Sequence, residues 1–402
     1  MKRGAFIFLI SLALGILGTA CKKPYLPPAI TAPNNYLVVE GVVIAGTDST
    51  FLKLSRTVNI SSTVTSNPVD GAVVNVEGDD NSSYPLIETK PGIYASPGLN
   101  PDVRHNFRLR VKTSDAKEYL SDFVAVVNSP PIDSVYYQIK NNGVNIYVDT
   151  HDPKGSTHYY RWDYKETWII RSFFKSQYVT NGDTILPRDQ VHNNIWQCWL
   201  NDTSSTVLLG TSARLAKDVI NKAPITFISS SSEKFTAEYS IIVRQYGLTS
   251  QAYNFWQNIL KNTEKIGSIF DALPSEIEGN IHCVSNPAEP VVGFLSVGST
   301  VSQRIFIRQR YLPAWVPTPI YAYCQLEPDC CVYDRPTFSG PQNQVDMYMN
   351  PNFHENNGPY FIPIDAIGPI GSPPLGFTTT SVPLCVDCTI RESNKQPDFW
   401  VF

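Results

Sequence analysis

The chain is predicted to be mainly β, with an N-terminal immunoglobulin- or transthyretin-like β-sandwich followed by a larger β-rich domain that carries one amphipathic helix and long ordered loops. Three observations predict this. Short runs of β-branched and aromatic residues alternate with polar ones and are broken at short intervals by turn formers. Proline (31) and glycine (23) are plentiful, while charged residues are only 17% of the 402, below the ~25% of an average protein, so long solvent-facing helices are poorly supplied. A hydrophobic fraction of 42% with 12% aromatic residues is ample for packed cores and excludes a disordered chain.

Taken in order, Lys2 and Arg3 precede an apolar run from Ala5 to Leu17 that is too short to span a bilayer. This is the pattern of a secretory signal peptide over residues 1–20. Leu17-Gly18-Thr19-Ala20-Cys21 follows and resembles the lipobox of bacterial lipoproteins, with Gly18 where an aliphatic residue is usual and Leu17 one position further back. The expectation is cleavage before Cys21 and diacylation of its thiol, which anchors the chain to a membrane without crossing it. Pro24, Pro27, Pro28 and Pro33 make residues 21–35 the anchor plus either a semi-rigid spacer or an unstructured leader.

The first sandwich is placed at 36–127, on strand patterns at Tyr36–Ile44, Thr50–Ser55, Ala72–Val76, Gly92–Ala95, Asn106–Val111 and Tyr119–Phe123. Pro130 and Pro131 cannot serve a central ladder and mark its end. The second domain, 132–402, opens with Ile132–Tyr137 and Val144–Val148 around Asn141-Asn142-Gly143, a hairpin signature, and continues with the alternating Tyr159–Tyr164. Residues from about 172 to 234 lose periodicity and read as an insertion or long loops with one short strand at Val207–Leu209. A helix is predicted over about 250–262, capped by Thr249 or Ser250, because Ala252, Phe255 and Ile259 share one row and Tyr253, Trp256 and Leu260 the next. Strands resume at Gly279–Val284, Val291–Val297 and Arg304–Arg308. Residues 312–402, rich in Pro, Tyr and Cys, are expected to form ordered loops pinned by side chains.

Charge and motifs exclude several functions. Lys plus Arg is 32 against 36 for Asp plus Glu, a net charge of −4, and no basic block exists, so nucleic acid is not an expected partner. No apolar stretch beyond the leader is long enough for a transmembrane helix. The six histidines show no HExxH or paired helical spacing, no nucleophile elbow, P-loop or dinucleotide fingerprint occurs, and no cofactor is called for. His151-Asp152 sits where an Asp-Pro-Lys-Gly turn is expected and reads as a loop rather than a catalytic dyad.

Apart from Cys21 there are seven cysteines, Cys198, Cys283, Cys324, Cys330, Cys331, Cys385 and Cys388. In an exported chain they are disulfide candidates with one thiol left over. The second reading is a four-thiolate zinc site built on Cys385-x-x-Cys388, and a thioredoxin-like redox role lacks the βαβ context it needs. Trp196 and Trp199, flanking Cys198, are candidate ligand-binding rings with ordinary packing as the alternative, as are Tyr321, Tyr323 and Tyr333. Trp400 and Phe402 are expected to dock the C-terminus.

Several local texts coincide with one family: Leu37-Val38-Val39-Glu40-Gly41, Tyr239-Ser240-Ile241-Ile242-Val243-Arg244-Gln245-Tyr246, Ala252-Tyr253-Asn254-Phe255-Trp256, Gly267-Ser268-Ile269-Phe270-Asp271, Gly279-Asn280-Ile281, and Cys385-Val386-Asp387-Cys388 leading to Lys395–Trp400. Together they resemble the Bacteroidetes outer-membrane lipoproteins grouped as domain-of-unknown-function family 4249. The resemblance implies no catalytic activity. It implies instead a lipid-anchored outer-membrane accessory of a TonB-dependent transporter in nutrient uptake. Lys22 and Lys23 depart from the acidic surface-export signal of such lipoproteins, which leaves the surface and the periplasmic face both open. The alternatives are independent capture of a glycan or peptide and, third, a hydrolase.

Overall fold

A computed structural model describes residues 35–58, 63, 67–140, 142–180, 184–264, 279–315, 323–327, 331, 349 and 361–400. The signal peptide 1–20, Cys21 and its spacer, Cys330, Tyr321, Tyr333 and Phe402 lie outside the described residues. The fold is mainly β, as the alternation predicts.

The first sandwich is built from Leu37–Ile44 (β1), Thr50–Arg56 (β2), Val73–Gly78 (β3), Ser83–Lys90 (β4), Ile93–Ser96 (β5), Asn106–Lys112 (β6), Glu118–Ser121 (β7) and Val124–Val127 (β8). Alternate residues point inward, so Leu52 and Leu54 on β2, Val74 and Val76 on β3, and Phe107, Leu109 and Val111 on β6 form one apolar core.

The second sandwich pairs two sheets. Ile132–Lys140 (β9) and Gly143–His151 (β10) precede Tyr159–Arg171 (β11). Residues 172–234 then supply the short pair Tyr178–Thr180 (β12) and Ile185–Pro187 (β13), and also Gln197–Thr203 (β14), Leu208–Thr211 (β15) and Val219–Ser229 (β16). Glu238–Leu248 (β17) follows and leads directly into the helix Ser250–Glu264. The region expected to be an insertion is therefore corrected: β16 completes the sheet β16-β10-β9, and β14 and β15 pair with β11. Apolar residues fall on both faces of β14 and β15, with Cys198, Leu200 and Leu208 in the inner core and Trp199 and Leu209 outside it, and Lys222 at φ 57° interrupts β16, which hides the strand pattern.

The chain then returns to the first sandwich. Ile281–Cys283 (β18) pairs with β7, while Val291–Gly293 (β19) and Val297–Gly298 (β20) both pair parallel to β1. The sandwich is thus not confined to 36–127: Ile281, Val291, Leu295 and Val297 belong to its core. Because β20 also pairs with β8 and β8 with β6, the path β6-β3-β4-β5-β2-β1-β20-β8 closes on itself, giving each of those eight strands a neighbour on both sides. Asn280 fixes this return: its Oδ1 accepts from the Leu295 backbone N–H at 2.7 Å and its Nδ2 donates to the Leu295 carbonyl at 3.2 Å. Gly279 is required beside it, since a Cβ there would lie 1.7 Å from the Gly293 carbonyl oxygen.

Thr300–Arg308 (β21) then finishes the second large sheet, ordered β14-β11-β17-β21. A final short pair, Ala366–Ile367 (β22) and Gly376–Phe377 (β23), lies in the C-terminal loops. The helix is capped by Thr249, whose Oγ1 accepts from the Ala252 N–H at 3.1 Å. Ala252, with Tyr253 and Trp256, packs on Tyr246 and Leu248 of β17 and on Val42 and Ile44 of β1, so the helix joins the two sandwiches. The connector is fixed as well. Buried Gln245 accepts from the Trp162 indole N–H (2.9 Å) and donates to the Pro130 carbonyl (2.8 Å).

Asp152 organises the turn between β10 and β11. Its carboxylate accepts from the backbone N–H groups of Lys154, Ser156 and Thr157, each at 2.9 Å, and from the Ser156 hydroxyl at 2.7 Å. Burial alone would raise its pKa, but these donors outweigh burial and hold it at about 2. Since the unfolded chain titrates near 3.8, the stabilisation is complete above that value and is lost as pH falls toward about 2. Asp152→Asn is expected to flatten the decline of the urea midpoint between about pH 4 and 2, removing about 2 kcal/mol of acid sensitivity. Parallel profiles for variant and parent would refute the assignment.

Candidate functional site

Strand alternation divides the large sheet of the second sandwich into two unlike faces. Inward, Trp162, Trp168 and Ile170 of β11 meet Tyr239, Ile241 and Val243 of β17. Outward, the register places Asp163 opposite Arg244 and Arg244 opposite Ser302, then Lys165, Ile242 and Arg304 in the next row, with Glu238 opposite Arg308 at the far end. The outer face thus carries Arg161, Lys165, Arg171, Arg244, Arg304 and Arg308 against Asp163 and Glu238. It is a basic surface on a chain of net charge −4.

At the helix end, the Arg161 guanidinium lies 4.5 Å from the Tyr246 ring centre and 4.3 Å from that of Trp256, cation–π distances that stabilise a partly desolvated charge. Its buried Nε has no hydrogen-bond partner among the described residues. The Tyr246 hydroxyl donates to Asp163 at 2.7 Å. In the middle, Arg304 donates to the Ser240 hydroxyl at 3.0 Å and stacks 3.5 Å from the Phe399 ring centre; burial pulls its pKa below the ordinary arginine value.

At the opposite end a cleft of about 370 Å³ opens between Ile169, Arg171, Ala237, Glu238, Arg308 and Arg310. Glu238 is fully committed there: Oε1 accepts from Arg308 Nε at 2.6 Å and Oε2 from the Trp400 indole N–H at 3.2 Å. Arg171 donates from Nε to the Gln197 side chain at 3.1 Å, and Arg310 stacks on Tyr311 at 4.9 Å. Neither has a carboxylate partner among the described residues.

The tryptophans flanking Cys198 separate. Trp196 is half-buried beside this cleft, with Arg171 at 5.0 Å and Lys175 at 5.1 Å from its ring centre. Trp199 is only 4% exposed and packs with Ile169 and Trp400, so its expected role as a ligand platform is corrected: the C-terminal tail covers it. Trp400 does dock the tail. Tyr323 is exposed. Arg171, Glu238, Arg308 and Arg310 went unnoticed in the sequence, although the alternation Arg304-Ile305-Phe306-Ile307-Arg308 already puts its arginines on one face.

The cysteines form disulfides Cys198–Cys388 and Cys324–Cys385, and Cys331 is disulfide-bonded too. Cys385 and Cys388 therefore pair with different partners, and neither supplies a thiolate to zinc or to a CxxC redox couple. Cys283 is corrected as a disulfide candidate, being a buried free thiol in the core of the first sandwich. Among the described residues no group of three or more His, Cys, Asp or Glu is arranged to hold a metal ion.

Ser212, His158 and Asp218 do meet, but in an order unlike that of a hydrolytic triad. Ser212 Oγ donates to Asp218 directly, and His158 Nδ1 stands 3.4 Å from the same hydroxyl, whereas nucleophile activation needs the imidazole between serine and carboxylate. The Tyr160 hydroxyl also donates to Asp218 at 2.8 Å, which makes this a buried structural network. His151 is paired to Asp133 at 2.8 Å, and that carboxylate raises its pKa. Asp152 is the turn organiser described above, so the two form no dyad.

No curated protein matches the chain. Among solved structures, a two fibronectin type-III domain segment from chicken tenascin is similar at 11% identity, over 54% of this chain and 93% of that one, with a TM-score of 0.17. The family model of a domain of unknown function, DUF4249, matches residues 22–304, a span that takes in the first sandwich with its returning strands, the helix and nearly all of the large sheet; the chain belongs to the DUF4249 family.

Proposed function

We propose that this protein is a non-enzymatic, lipid-anchored cell-envelope protein that assists a TonB-dependent outer-membrane transporter in nutrient uptake. The observation that carries the reading is the basic outer face of the large sheet, a broad surface bounded by the helix and the docked tail. Such a surface suits a partner more than a reaction, since unlike charges across an interface steer encounter and fix register. The lipobox-like text ending at Cys21 supports attachment to a membrane through lipid. The disulfides fit an oxidising compartment outside the cytoplasm. Family membership adds the expectation of a Bacteroidetes lipoprotein.

The test is purification of the tagged full-length protein from its native membrane in mild detergent, with mass spectrometry of what stays bound. One TonB-dependent barrel in near-equal amount is the expected result, and recovery of the lipoprotein alone would overturn it. Independent capture of a glycan or peptide is the second reading, favoured by the arginine cleft beside Trp196.

A further inference from the structure

We propose that the cleft at the far end of the large sheet binds the carboxylate of a small organic ligand, of the size of a dipeptide or a sugar acid. Among the described residues three arginines, Arg171, Arg308 and Arg310, line it with one carboxylate, Glu238. That carboxylate is spent on Arg308 and Trp400, so it positions Arg308 without neutralising the other two. Clustering three guanidinium groups is unfavourable unless an anion joins them, and a guanidinium fork matches a carboxylate through two parallel N–H bonds. Arg171 uses only its Nε on Gln197, and Arg310 has no hydrogen-bond or ion-pair partner among the described residues. Both therefore keep donor edges for a ligand.

The rest of the cleft selects the body attached to the anion. Ile169 and Ala237 give it apolar wall, and its volume of about 370 Å³ is within the range of small-molecule sites. A bare inorganic anion would leave that apolar wall uncovered. Glu238 beside the arginines disfavours a doubly charged group, which points to a carboxylate over a phosphate.

The experiment is isothermal titration of the full-length protein in mild detergent. The probes are glucuronate against glucose, alanyl-glutamate against its fully amidated form, and inorganic phosphate. Both acids are expected to bind at least about tenfold more tightly than their neutral counterparts, with affinity falling as salt rises. Arg310→Gln and Arg171→Gln should each weaken binding by about tenfold or more, while Arg104→Gln on the first sandwich leaves it unchanged. Cooperative melting of each variant confirms folding. Tighter binding of glucuronate assigns a sugar acid and tighter binding of the dipeptide a peptide; both sustain the site. Equal affinity for acid and neutral forms, phosphate binding as tightly as either acid, indifference to both substitutions, or no binding up to about 10 mM would overturn it. No transporter is needed for the measurement, so it stands or falls separately from the co-purification.

Discussion

Replacing Cys198 and Cys388 together by serine is expected to lower the unfolding free energy by about 4–5 kcal/mol. The bond links β14, inside the second sandwich, to the C-terminal loops across 190 residues, and a cross-link removes more unfolded-state entropy the longer the loop it closes. Cys324–Cys385 spans 61 residues, so its double serine variant should lose slightly less, about 4 kcal/mol. Urea denaturation of both variants beside the oxidised parent checks this, and dithiothreitol treatment of the parent should exceed either loss. A loss under about 1 kcal/mol would mean that packing alone holds the tail. Packing and hydrogen bonds are present in any case: the Cys388 N–H donates to the Ile195 carbonyl at 2.8 Å, the Trp199 N–H to the Ser393 carbonyl at 3.0 Å, and Asn394 Nδ2 to the Asn194 carbonyl at 2.6 Å.

A fragment of residues 35–127 is expected not to fold cooperatively, although it contains eight strands of the first sandwich. Without β18, β19 and β20 it loses Ile281, Cys283, Val291, Leu295 and Val297 from its core and exposes the outer edge of β1. In the whole protein, Leu295→Ala removes a side chain 1% exposed and should cost about 3 kcal/mol, as a loss from the first sandwich caused by a substitution nearly 170 residues beyond β8. Amide dispersion in a two-dimensional NMR spectrum of the fragment, and urea unfolding of the variant, are the measurements. A fragment with dispersed resonances and one sharp transition would make the returning strands an addition to an already complete sandwich.

Strands whose inner face is apolar and outer face polar were legible. Asn106–Lys112 is the clearest case, with Phe107, Leu109 and Val111 buried and the arginines between them outside. Strand β4 was not legible, because Pro85 interrupts Ser83–Lys90 and Leu86 is its one buried residue. The same reason hid β14 and β16, where Asn201, Asp202, Lys222 and Pro224 break the pattern, whereas β15 overlaps the short strand expected at Val207–Leu209. Periodicity also names a strand without naming its partner. Val291 and Val297 read as strands, yet nothing local says that they cross back to β1, a pairing set by Asn280, Gly279 and a core distant in sequence. The candidate site was half visible for a related reason: the sequence names Trp196 and Trp199 together, but only the docked tail, which covers Trp199, decides which of the two is buried.

The closed eight-strand ring bears on the order in which the protein can be made. Strand β1 ends at Ile44, and the strand that seals its open side ends at Gly298, roughly 250 residues later. However the chain is delivered, the ring waits for roughly 250 residues to pass before its last strand arrives. During that interval β1 presents unpaired backbone groups and the apolar side chains of a core not yet filled. The second sandwich, whose β9 to β17 emerge in between, begins to form while its neighbour is still open and is completed by β21 just after the ring is sealed. A holdase that masks β1 during this window would raise the yield of native protein, whereas one acting only after residue 298 has emerged would come too late.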